Sequence, residues 1–417
     1  MHRVYEVTAS ATNAIDSSDH TLAIQAMIDD CGAAGGGVVR VLAGVYVCTT
    51  LRLRSNVTLQ LDEGARIAGS TDVDAYSAPT ANNNRWNRAL VLIENATDVA
   101  IVGPGTLDGR HAFDPHGEER MRGPHTVVTL NARRVRVENM KFVDSANYAI
   151  LAYQTNELTV RNCVFTGGWD GVHIRGTASE RCKQITITNC EFYTGDDSIA
   201  GWYWDDFVIS GCIINSSCNG IRVIGPATGL TIHDTLFFGP GRHPHRTSGA
   251  LHRTNMLAGI LIQPGAWDPT QGHSDNIVIS HVVMRDVKTA VAVFNKPGNS
   301  VGTILIEHLS AHNVYGGPCA FESWSDNPIE RIVMRDSYIS FTQQATVTTP
   351  TDYVHNEPRH ETRDMPGWAL FAHRIGAVEL HHVCMTTPHG ECRPDIVGDN
   401  VRHTDSHFDV ATHRAGG

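Results

Sequence analysis

A short phrase recurs along this chain: an apolar residue, any residue, a second apolar residue, any residue, then an amide or a glycine. It stands at Val135, Val137 and Asn139, at Leu158, Val160 and Asn162, at Ile185, Ile187 and Asn189, and at Phe207, Ile209 and Gly211. Further copies of its apolar alternation start at Val99, Leu230, Ile277, Ile304, Ile332 and Val378. Apart from three wider intervals the starts are roughly 22 to 28 residues apart, the length of one unit in a repeat architecture. Strict alternation marks strands with one buried face, and almost no helical periodicity fills the spaces between them. A leucine-rich lattice is absent, and a β-sandwich gives no reason for so regular a spacing. The expectation is therefore an all-β chain folded as a single-stranded right-handed parallel β-helix, one coil per repeat.

Two columns fix the register. Asn139, Asn162 and Asn189 share one position in the phrase, where side-chain amides can stack at a turn and bond one another from coil to coil. Cys163, Cys190 and Cys212 share the next position, which points inward, where a thiol acts as a small apolar group. Residues 21–31 have helical spacing, follow Asp16, Ser17, Ser18 and Asp19 as candidate caps, and end in Gly35, Gly36 and Gly37. A helix there covers strand edges that an open coil end would expose. The expected organisation is one β-helix domain over 1–417 with a cap over about 1–37 and loop insertions over about 238–258 and 340–368.

Composition narrows the partners. With 41% hydrophobic residues and 38 glycines the chain can bury a core. A formal net charge of -11, without a block of Lys and Arg, argues against nucleic acid and anionic membrane as partners. No apolar run is long enough for a membrane helix, and the opening residues lack the basic-then-apolar layout of a secretory leader. A soluble cytoplasmic chain is expected, with a secreted or periplasmic location open if a leader has been removed. Ten cysteines in 417 residues do not make a disulfide scaffold.

Asp170, Asp197 and Asn219 fall at one offset from Leu158, Ile185 and Phe207, so they belong to one column, with Asp196 one position earlier than Asp197. Strands of adjacent coils lie about 4.8 Å apart, which brings three carboxylates into one patch. Like charges so close cannot all ionise easily, and that is the condition for a general acid beside a general base. Glycoside hydrolysis with inversion needs such a pair roughly 6.5 to 9.5 Å apart. A calcium site or a solvated acidic turn is the plainer alternative. Beyond the column, His173 and Arg175, then Ala200 and Trp202, then Arg222 are expected on the outer face, with Trp169, Trp202, Tyr203 and Trp204 as candidate sugar-stacking surfaces.

The chain resembles the polygalacturonase-type glycoside hydrolases, family 28, on the pectin lyase-like β-helix. Residues 51–61, Glu63, Gly64 and Ala65, Gly69 to Asp72 and Gly103 to Gly109 resemble the family's opening coils. Trp169, Asp170 and Gly171 resemble its Asn-Thr-Asp-Gly segment, and Gly195, Asp196 and Asp197 match its Gly-Asp-Asp. The resemblance implies that Asp196 is the general acid and that Asp170 and Asp197 hold the water that attacks with inversion; it implies neither metal nor cofactor. Cys218, Asn219 and Gly220 stand where the family has Gly-His-Gly. The family's Arg-Ile-Lys, which resembles a clamp for a substrate carboxylate, has no clean copy: Leu261, Ile262 and Gln263 occupy that coil, and Arg222 is the candidate stand-in, with Ile224 in place of the lysine.

The expected activity is an inverting, exo-acting glycoside hydrolase on pectin-related plant cell-wall oligosaccharides, using Asp170, Asp196 and Asp197 and binding substrate through His173, Asn219, Arg222, Trp169, Trp202 and Gln263. Two alternatives stand beside it: a lyase or epimerase with His173 or Arg222 central, and a non-catalytic carbohydrate-binding β-helix. His243, His245 and His252 match no metal-site spacing. Glu322 and Trp324 are placed at the far end of the cleft.

Overall fold

The computed structural model describes residues 3–8, 20–245, 253–267, 269–342, 365–388 and 393–410. These form parallel β coils throughout, with one α-helix, Thr21–Ala33. Among the described residues no helix is long and apolar enough to cross a membrane. The chain divides into two compact units, Met1–Asp196 with His245–His252, and Asp197–Pro244 with Arg253–Gly417.

The repeated phrase accounts for the strand register in both. In the first unit Val99 pairs with Val135 and Val135 with Leu158, all buried. In the second, Phe207, Leu230, Ile277, Ile304, Ile332 and Val378 pair successively in the same way, and all are buried. The core is layered. Phe142 stacks on Phe165 at 4.7 Å and Phe165 on Phe192 at 4.6 Å, so identical side chains from successive coils pack face to face.

Asn139, Asn162 and Asn189 all adopt the left-handed conformation at φ 61°, 54° and 53°, and the Asn162 amide donates to the Asn139 side chain at 3.1 Å. Asparagine suits the position because it tolerates this conformation and its amide bonds along the stack. Cys163 and Cys190 in the first unit and Cys212 in the second are buried, as small core residues should be. The helix buries Ile24, Ile28 and Cys31 against the first strands. Its N-terminal cap position is His20, without a side-chain capping bond; Asp16 to Asp19 lie outside the described residues. Much of the two expected insertions, including His252, also lies outside them.

In each unit candidate residues lie on or beside one parallel sheet. In the first it comprises Leu51–Arg52, Ala89–Glu94, His125–Leu130, Ile150–Tyr153 and Val172–Arg175. In the second it comprises Ile199–Trp202, Asn219–Val223, Ala258–Ile262, Val291–Asn295, Cys319–Ser323 and Leu370–His373.

Candidate active site

In the first unit Asp170 is set on a turn that only glycine can build. Gly167 and Gly168 both sit at φ 72°, and a Cβ on Gly168 would approach the Ser145 backbone to 2.9 Å. The strand that follows alternates as expected: Val172 and Ile174 enter the core. His173 takes the other side and stacks on Tyr148 at 4.6 Å with the rings nearly parallel. The Asp170 carboxylate, 4% exposed, accepts a bond from His173 Nδ1 at 2.6 Å.

Asp196 closes the next turn, where the Thr194 hydroxyl donates to its carbonyl. Its carboxylate is 14% exposed and meets two nitrogen groups: Arg122 Nη2 at 3.3 Å and His245 Nε2 at 3.4 Å. Asp170 and Asp196 each place a carboxylate oxygen within 4.8 Å of the other. Arg122 was not legible as a site residue. It lies between strands in residues 109–124, its side chain 5% exposed, with its guanidinium 4.2 Å from the Trp169 ring centre and 5.6 Å from that of Tyr148. Burial works against its charge, but Tyr148 and the carboxylates of Asp196, Glu118 and Glu119 more than offset this and the net pull is upward. Burial in turn pushes the Glu119 carboxyl up, against the attraction of Arg122. Among the described residues Arg122 Nε and Nη1 make no hydrogen bond, although Nη1 lies 3.7 Å from Glu118.

The outer face of this sheet is covered by residues 70–88 and 109–124. Trp86 and Met121, from those loops, pack on Leu92, Val128 and Leu151. The loops are braced to each other: Arg85 grips Asp114 with two bonds of 2.6 and 2.7 Å, and Arg85 and Arg88 both reach Asp74. Beneath them His125 is wholly buried; burial and the nearby Arg175 charge hold it well below the usual histidine range, and its Nδ1 accepts the Tyr148 N–H.

In the second unit Asp197 stands two residues before Ile199 and Asn219 two before Ile221, and Ile199 and Ile221 are register partners. The Asn219 backbone N–H and side-chain amide both donate to Asp197 Oδ1, at 3.0 and 2.7 Å. Arg222 Nη1 lies 3.7 Å from Asp197 Oδ2, and its Nη2 donates to Gln263. Three of the residues expected at the site therefore join Asp197 in one buried polar group. Farther along, the sheet's outer face turns apolar, with Leu261, Ala292, Phe294, Ala320, Phe371 and Met365 packed together. Glu322 is buried there and accepts from the Trp324 indole.

The aromatic expectations need correction. Trp169 is 1% exposed, its indole N–H bonded to the Ala146 carbonyl and its face taken by Arg122, so it supports a site residue and offers no stacking surface. Trp204 is core, stacked on Phe207 at 4.5 Å, and Tyr203 is buried with its hydroxyl bonded to Gln271. Trp202 is half-buried against Ala200, Ile224 and Ala266. The open indole is Trp267, 65% exposed, whose ring centre lies 5.5 Å from the Arg222 guanidinium. It follows a turn in which Gly265, at φ 92°, donates to the Ile224 carbonyl.

The right handed beta helix region, as a family, matches residues 125–300. An endo-polygalacturonase of Pectobacterium carotovorum subsp. carotovorum is 23% identical over 209 residues, covering 44% of this chain and 52% of that protein. An exo-poly-alpha-D-galacturonosidase of Dickeya chrysanthemi is 24% identical over 306 residues, covering 56% of this chain and 49% of that protein. The chain thus spans about half the length of the curated relatives it matches. Among solved structures, a hyperthermoactive exopolygalacturonase from Thermotoga maritima superposes with a TM-score of 0.64 at 16% identity, over 82% of this chain and 92% of that one. The chain is a right-handed parallel β-helix protein similar in sequence and fold to polygalacturonases.

Proposed function

We propose that this chain is an inverting, exo-acting glycoside hydrolase on pectin-related plant cell-wall oligosaccharides. Asp196 is the general acid, and Asp170 and Asp197 hold the attacking water. The observation that carries the hydrolase reading is a pair of carboxylates within 4.8 Å in unlike surroundings; this is closer than the roughly 6.5 to 9.5 Å usual for an inverting pair, so inversion rests on the resemblance and is decided by the product anomer. Asp170 is buried and tied to His173, whereas Asp196 keeps some access to solvent beside Arg122 and His245. Unlike surroundings are what separate an acid from a base in one site. Asp197 follows Asp196 directly in the chain, so their Cα atoms are about 3.8 Å apart across one peptide. Asn219 contributes by position: its two donors fix Asp197 without adding a group that titrates.

Anionic sugar is the favoured substrate because Arg122 and Arg222 are the buried cations beside these carboxylates. Exo action is supported by the braced loops over the first unit's sheet and by the apolar cover on the second unit's sheet, each of which removes open groove. Trp267 is the sugar-stacking surface.

The test is a screen of the purified chain and Asp196→Asn against galacturonide and neutral plant oligosaccharides by mass spectrometry, with the product anomer read by NMR. One water gained per cleavage, inverted product, and a mutant slower by about 10²- to 10⁴-fold are expected. An equally active, folded Asp196→Asn removes the assignment. Unsaturated products would replace hydrolysis with elimination, and binding without turnover would leave a carbohydrate-binding β-helix.

A further inference from the structure

Arg122 creates a difficulty for a general acid, since a guanidinium 3.3 Å from Asp196 favours the ionised carboxylate, and a general acid must arrive protonated. The surroundings resolve it. Arg122 is faced by Glu118 and Glu119 from its own loop, by Asp196, and by Tyr148 and Trp169 beneath; Asp196 is faced by Arg122, His245 and Asp170, with Asp197 next in the chain. One buried cation is already shared among three carboxylates, while its Nε and Nη1 remain without a hydrogen bond among the described residues. A second buried polar group beside this site is also unsatisfied. Asn147 makes no side-chain bond among the described residues, and it directly follows Ala146, whose carbonyl accepts from Gly123 and from Trp169.

We propose that the site takes up an anionic sugar and a proton together: the sugar carboxylate engages Arg122 through its unbonded N–H groups, and Asp196, released from the guanidinium, takes a proton from solvent and becomes the acid. Charge balance favours the coupling. A fourth carboxylate joining three around one guanidinium raises the cost of keeping all of them ionised, and neutralising one relieves it. Asp196 is the group so placed that the proton is then used. Substrate binding thereby arms the acid, and a neutral sugar does not arm it. This rests on the hydrolase reading for its use, but the coupling itself is measurable without turnover.

The experiment is calorimetric titration of the full chain with galacturonate and with galactose, at mildly acidic pH, in buffers of differing ionisation enthalpy. Galacturonate is expected to bind with uptake of about one proton and with affinity falling about tenfold per pH unit as pH rises; galactose should show neither. Arg122→Leu should weaken galacturonate about 10- to 100-fold and abolish uptake. Arg122→Lys keeps the charge, guards against a folding failure, and should show intermediate binding with uptake retained. Asp196→Asn should bind galacturonate without uptake, and Glu119→Gln should leave uptake in place. Galacturonate binding without proton uptake, uptake that survives Asp196→Asn, or no galacturonate binding by the wild type would each overturn the proposal. A fully active Asp196→Asn would instead sink the hydrolase assignment, whatever the calorimetry shows.

Discussion

Asp170 and Asp196, in the first unit, are held by groups that themselves titrate or carry charge: His173, His245 and Arg122. Asp197, in the second, is held by an amide and a backbone N–H, with Arg222 at a looser 3.7 Å. A frame of imidazole and guanidinium can change a carboxylate's protonation as ligands come and go. An amide has no proton to gain or lose, so the Asn219 side chain and the backbone N–H hold Asp197 in place without titrating themselves. On the proposed reading, the proton chemistry would belong to the first frame and the geometry to the second.

The largest expected effect tests whether both frames serve one reaction. Asp170→Asn and Asp197→Asn should each slow reducing-end release by about 10²-fold or more with unchanged circular dichroism. A fully active Asp197→Asn would show the amide frame to be structural. Next in size is stability. His173→Ala leaves a buried carboxylate without its imidazole and should cost about 3 kcal/mol by urea unfolding, whereas Asn219→Ala removes a bond from an amide and should cost about 1 kcal/mol. Equal costs would erase the distinction.

The third effect is pH dependence in the first unit. His125 is neutral when folded and held well below its unfolded value, so the unfolded chain binds the extra proton. Stability is therefore unaffected above the unfolded histidine pKa of about 6.5 and falls below it, by up to about 1.4 kcal/mol per pH unit. His125→Gln keeps an acceptor for the Tyr148 N–H and should flatten that acid limb. The smallest effect is on binding in the second unit. Trp267→Ala should raise KM several-fold, about 1 kcal/mol of stacking, with kcat unchanged. A fall in kcat would give the indole a part in the chemistry.

The repeating phrase made the coils legible because each copy is local: anchors such as Val135 and Leu158 pair where the spacing put them. It also brought Asp170 and Asp196 to neighbouring turns, and the Asn219 it aligned with Asp197 does bond that carboxylate. Arg122 was hidden, and His245 was weighed only as a metal ligand, for one physical reason: both lie outside the repeat, in segments whose path is set by tertiary contacts. Trp204 was misread because the alternation restarts at Tyr203, whose φ of 59° turns the chain and sends the next side chain inward. Trp267 carries no periodic signal at all.

The left-handed turn has a consequence for how this sequence can change. In the first unit it is occupied by Asn139, Asn162 and Asn189; in the second by Gly211, Asp234, His281, His308, Asp336 and His382, all at positive φ. Chemistry at these exposed points is free to drift among amide, acid, imidazole and hydrogen, while valine and isoleucine are excluded by the hand of the backbone. A complete map of tolerated substitutions would therefore carry a beat, one forbidden note for branched side chains in every coil, at positions where surface exposure alone would forecast indifference.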